Sequence, residues 1–210
     1  MAYTRGNSTN IIVGAAALFI ADTTLDNASL ESFGANKSFK DTLADSMDYT
    51  NAGYTMNGLE LQFQPDFGEV KVDQILDVAK LYKQGMKVNL ATTFAEATLE
   101  NLLLSLAYSS SKLSGTKSTS AGQVLDLSAG DIGECPVERG IVAVGPGTGD
   151  CADSAYVERV YTAYRALSID NVTVSAKRDA PSEFAVSFRL LPEDTSGSYG
   201  KIVDRTWTPA

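Results

Sequence analysis

The sequence contains no histidine among its 210 residues. That removes the commonest general base and the commonest metal ligand together. Cysteine is nearly as scarce, with only Cys135 and Cys151, too few for the disulfide framework of a small secreted domain. The two bracket a segment that reads as a hairpin. They would form one bridge in an oxidising compartment and stay as two buried thiols in a reducing one. No Cys/His cluster has metal-ligand spacing, and Asp41, Asp45 and Asp48 lack the glycine and terminal glutamate of a calcium loop. The glycine cluster GPGTGD is not followed by Gly-Lys-Ser/Thr, so it reads as a turn and not as a phosphate loop. Carboxylate pairs are limited to Asp126 with Asp131 and Glu134 with Glu138, and nothing around them fixes a separation. The expectation is a protein that is not an enzyme and uses neither cofactor nor metal.

Basic blocks are also missing. The formal net charge is −9, and −6 of it lies in residues 1–70. Such a chain is poorly suited to gripping phosphates, but its repulsion suits a surface that nucleic acid slides past. Long apolar runs are missing too. Residues 11–21 (IIVGAAALFIA) form an uncharged apolar stretch, too short to span a bilayer as a helix. Its length fits the apolar core of a signal peptide. Phe19, however, stands where cleavage after Ala21 wants a small residue, and only Arg5 precedes the run. A fully buried strand is the favoured reading. The alternative is a secreted or surface-displayed β-sandwich with residues 1–21 as signal peptide and a mature chain beginning near Asp22.

What the sequence does have is alternation. Apolar content is 44% and charged content 20%, the balance of a folded domain. Leu59, Leu61 and Phe63 alternate with Glu60, Gln62 and Gln64, which describes a strand with one buried face. Val70 and Val72 resume the pattern after a break at Pro65–Gly68, and Met86, Val88 and Leu90 repeat it after a turn at Gly85. The period then changes. Ala95, Leu99, Leu102, Leu103 and Leu106 share one helical face, and Thr93 with Glu96 has capping-box spacing. Further strands are expected at Val124–Leu127, 137–144, 155–167, 169–176 and 183–191. The expected fold is a β-rich α+β domain, a two-sheet β-sandwich or open barrel with one amphipathic helix over about 93–107 packed on it. No repeat or internal linker divides it, so 1–210 reads as one domain. Within it, 1–10 is an N-terminal arm, 36–53 a long loop, 109–153 a loop-rich elaboration and 193–210 a C-terminal arm. Tyr156, Tyr161 and Tyr164 offer the one hint of a small-molecule pocket, although tyrosines on a strand more often serve packing and interfaces.

The order NGLELQF, EVKVDQ and KVNLATTFAEATLENLLLSLAY, closed by FAVSFRLLPEDTSGSYGKIVD near the end, resembles the tail tube (major tail) protein of long-tailed bacteriophages, the non-contractile, siphovirus type in particular. The likeness covers about half the chain and rests on strand, turn and helix order. It implies hexameric rings of one subunit, stacked into the hollow tube through which the genome leaves the virion. Partners would be further copies of the chain and other tail proteins (tape measure, tail tip, terminator), with DNA passing without sticking and no membrane engaged. The location would be the virion tail, and the host cytoplasm during assembly. By this resemblance, ring-to-ring contacts would come from the N-terminal arm, the 36–53 loop and the C-terminal arm, with Asp41, Asp45, Asp48, Tyr49, Tyr199 and Trp207 as candidates. Glu60, Gln62, Gln64, Lys87 and Asn89 would face the lumen.

Overall fold

A computed structural model describes residues 10–26, 36–46, 48–130, 132–133, 135–149, 156–176, 178–179 and 181–209. Expectations for residues 1–9, Asp131, Glu134 and Cys151 lie outside the described residues. In chain order the elements are β1 (Ala17–Ala21), α1 (Phe39–Ala44), β2 (Tyr49–Asn51), β3 (Thr55–Lys71), β4 (Val78–Phe94), α2 (Leu99–Ser105), β5 (Leu113–Gly115), β6 (Gln123–Leu125), β7 (Arg139–Pro146), β8 (Tyr156–Ser168), β9 (Phe184–Leu191) and β10 (Gly200–Trp207). The fold is β-rich α+β, as expected, and sandwich-like.

One antiparallel sheet runs β2-β1-β7-β8-β9-β4-β3 with β10 added on β8, while β5 and β6 make a separate two-stranded sheet. The large sheet is not closed into a barrel. It doubles over at β8, whose Tyr156–Ala163 half pairs with β10 and whose Arg165–Ser168 end pairs with β9. Leu18, Ile20, Ile141 and Ala143 therefore meet Val88, Leu90, Phe184, Phe188 and Leu190 in the main core. Phe94 and Phe184 touch edge to face, centroids 5.6 Å apart, the geometry aromatic pairs prefer. The opposite face of β1, β7 and β8 is covered as well, by Leu25 and by Phe39 and Leu43 of α1, which enclose Phe19, Val142, Val160 and Tyr164. Burial on both faces explains why β1 and β7 read as continuous apolar runs and not as alternation.

The apolar run at 11–21 is a strand only from Ala17, and Ile11 and Val13 before it are exposed. The expected long loop at 36–53 instead holds α1 and β2. Six residues are too few to hold a helix by propensity alone, and α1 is pinned from outside: the buried Glu158 carboxylate accepts from the Ser38 hydroxyl at 2.8 Å and the Phe39 amide at 2.9 Å. Glu158 in turn pairs with the Arg205 guanidinium across the β8–β10 ladder, 3.3 Å away. The helix expected over 93–107 is shorter and starts later, because β4 runs on through Phe94 and Thr98, not Thr93, supplies the cap to the Asn101 amide. Glu96 reaches back to accept from the Tyr54 amide at 2.8 Å, and the buried Asn101 amide donates to the carbonyls of Ala52 and Glu96. Helix α2 thereby straps the chain that enters β3.

Within 109–153, the strand expected at 137–144 is β7 (Arg139–Pro146), which lies at the centre of the large sheet. The stretch 169–176 is not a strand, and Arg189 and its neighbours in β9 pair with β4 and the end of β8. The C-terminal arm is a strand too: β10 pairs with β8 from Gly200 to Trp207. Cys135 is exposed with a free thiol, against the expectation of burial.

Candidate assembly surface

Neither the break at Pro65–Gly68 nor the turn at Gly85 exists. Strands β3 and β4 form one hairpin, pairing from Thr55↔Phe94 out to Lys71↔Val78. Proline is tolerated there because β3 is an edge strand. On the body side β9 accompanies β4 only as far as Val88↔Leu190. The outermost tie we find is the Tyr199 hydroxyl donating to the Met86 carbonyl at 2.9 Å. Beyond it the hairpin is an arm.

Cross-strand partners in an antiparallel ladder share a face, so the register sorts the arm into two surfaces. Leu61 with Leu90 and Phe63 with Val88 continue the main core outward into Pro65 with Met86, Phe67 with Lys83 and Glu69 with Leu81. Along that line cover runs out: Val88 is 1% exposed, Phe63 55%, Phe67 54% and Leu81 59%. The tip adds Ile75 and Leu76, both exposed. Where the arm leaves the body, Leu61, Phe63, Tyr161, Tyr199 and Ile202 line an apolar groove of about 160 Å³ between the arm and β10. Exposed apolar side chains gathered on one face are candidates for contact with another surface.

The other surface is polar along the inner arm and carries Tyr82 and Val70 further out. Gln62 sits opposite Asn89, Gln64 opposite Lys87 and Glu60 opposite Ala91, so the five residues expected at a lumen do share one face. Arg189 and Ser187 of β9 extend it through Asn89 and Ala91. Gln62 donates to Glu60 at 2.8 Å. A groove of about 430 Å³, lined by Asn57, Glu60, Gln62, Asn89, Asp170 and Asn171 among others, runs beside them.

The candidate ring contacts are scattered. Asp41, Asp45 and Asp48 are exposed on and after α1, with Asp45 ion-paired to Lys37. Tyr49 packs against the core beneath α1, where burial and then the nearby Asp48 carboxylate push its hydroxyl pKa up. Trp207 stacks on Tyr156 at 4.8 Å, and Tyr199 binds Met86. Both are half-buried by these contacts. Hydrogen bonding to the Arg159 guanidinium, 2.6 Å away, holds Asp204 below the ordinary carboxylate range.

The tyrosines of β8 do not converge. Tyr164 is buried under α1, Tyr161 faces the main core and Tyr156 meets Trp207. Glu138 accepts from the Arg165 guanidinium at 2.7 Å. Among the described residues no group of acids and cysteines is placed to hold a metal, and no helix is long and apolar enough to cross a membrane.

Residues that sequence reasoning missed are the apolar ones of the outer arm: Phe67, Ile75, Leu76, Leu81 and Tyr82. A signal was there, since Ala79 and Leu81 alternate with Lys80. No family model matches the chain, and no curated protein matches it.

Proposed function

We propose that the chain is a structural subunit that assembles with copies of itself into stacked rings forming a hollow tube, the role of the phage tail tube proteins it resembles. It acts without catalysis, cofactor or metal. The observation that carries the reading is the arm: the apolar face of the core runs on past the body with none of the described residues over it, while the reverse face of the inner arm is polar. An isolated hairpin gains little stability from exposing Phe67 and Leu81, but a second copy laid along that face buries them. Among the described residues β3 is an edge strand of the sheet, and it gives a neighbouring copy a strand edge to join. The polar face bearing Glu60, Gln62, Gln64, Lys87 and Asn89 then lines the channel, and the chain's acidity keeps DNA from sticking. Other tail proteins would cap and initiate the tube, in the virion and in the host cytoplasm during assembly. The burial of Leu18–Ala21 in both cores favours keeping residues 11–21 over cleaving them as a signal.

The test is negative-stain electron microscopy with light scattering on the concentrated protein. Rings or tubes of even diameter are expected. Joining Gln64 to Lys87 through Asn-Gly, which removes Pro65–Met86, is expected to leave a folded monomer that no longer assembles. Tubes that persist without the arm would overturn the reading.

A further inference from the structure

The arm is not uniform. From Glu60↔Ala91 to Asp66↔Gly85 the ladder runs in step, and from Phe67↔Lys83 to Val70↔Lys80 it runs in step again. Between the two, Gln84 has no partner on β3. A bulge of this kind leaves a residue unpaired and bends the strand that carries it. The residues around it weaken the joint further. Gly85 lies opposite Asp66, and a Cβ there would touch nothing within 4 Å, so no side-chain packing braces it. Gly68 lies opposite Tyr82, whose ring crosses the bare backbone so closely that a Cβ would fall 2.5 Å from it. Gln84 donates to the Tyr82 hydroxyl at 3.1 Å, a contact between the bulge and the outer piece. Pro65, with no N–H, sits one step inward. The last tie to the body, Tyr199 to Met86, is at the same level. Bulge, two glycines, a proline and the final anchor thus fall within one short stretch.

We infer that this stretch, Pro65–Gly68 with Lys83–Met86, is a hinge about which the outer arm turns as a unit. Its use rests on the assembly reading: a turning arm brings Phe67, Leu81 and the tip onto a neighbouring copy whose position the body does not fix in advance. The motion itself belongs to the single chain.

The experiment uses the full chain with Cys135→Ser and Cys151→Ser, a dye on Leu76→Cys at the tip, and dispersed protein. Time-resolved fluorescence anisotropy is expected to show a nanosecond segmental component at least twice as large in amplitude as for the same dye on Ile202→Cys of β10. Deleting Gln84 restores one continuous ladder without exchanging the faces of the arm, and is expected to remove at least half of the excess. Gly85→Val, which the open space admits, is expected to remove a smaller part and decides the matter if the deletion variant fails to fold. Equal amplitudes at tip and body, or no change in a folded variant, would overturn the hinge. Failure of the parent protein to form tubes would sink the assembly reading and leave the anisotropy result standing.

Discussion

The layer formed by β1, β7 and β8 and the arm formed by β3 and β4 are built from similar residues and meet opposite fates. In the layer, Ile141, Val142, Ala143 and Val144 point alternately into two cores and all are buried. In the arm, Phe63, Phe67 and Leu81 repeat along one face and are left open. Apolar content alone does not decide burial. What decides it is whether another element of the same chain lies across the face: α1 and Leu25 do so for one side of the layer, while beyond Val88 no described element does so for the arm.

Substitution is the direct way to break this contrast. Phe94→Ala in the core is expected to cost about 3–5 kcal/mol, read by urea denaturation. Phe67→Ala on the arm is expected to change stability by less than about 0.5 kcal/mol while lowering tube formation, and a core-sized loss there would mean that the arm is covered after all. Glu158→Ala sharpens the account of the layer. It leaves Arg205 without its buried partner and frees the start of α1, and is expected to cost about 3 kcal/mol. A loss of amide protection confined to α1 and β10 would mark the mechanism. The smallest effect is on the exposed β8–β10 pair. Asp204→Asn is expected to cost no more than about 1 kcal/mol at neutral pH. Asp204 has a lowered pKa in the fold, so its contribution is present above the ordinary carboxylate value and fades as pH falls through the folded one. The variant and the parent should therefore converge in stability under acid conditions.

Much of the layer was legible from the sequence, because fully apolar runs such as LFIA and IVAV leave few other places for a strand. The five polar residues of the inner arm were legible as well, since a period of two fixes that Glu60, Gln62 and Gln64 share a face. The arm's continuity was not. Pro65, Gly68 and Gly85 are turn formers by propensity, and only the pairing across the ladder shows them inside one long hairpin. Nor was α1, whose sequence FKDTLA has no strong helical pattern and is held by Glu158, more than a hundred positions away. The capping misreading has the same origin. Thr93 and Glu96 have the right spacing, but pairing of Phe94 with Phe184 keeps that stretch extended, and Thr98 takes the role. The uncovered apolar face was beyond sequence reasoning altogether, because alternation shows that a face is apolar and is silent on what lies over it.

The ladder of the arm also sets an order in time. β3 and β4 are neighbours along the chain, and hairpins of that kind close within microseconds. The body must instead join Leu18 to Ala143 and Val88 to Leu190, and such distant pairings form far more slowly. A newly made chain therefore carries its adhesive element before it has finished the scaffold that aims it. Crowded synthesis is then the moment of greatest exposure to premature association. Rapid dilution from denaturant at rising protein concentration should reveal this as a refolding yield that falls for the parent chain and holds for the one lacking Pro65–Met86.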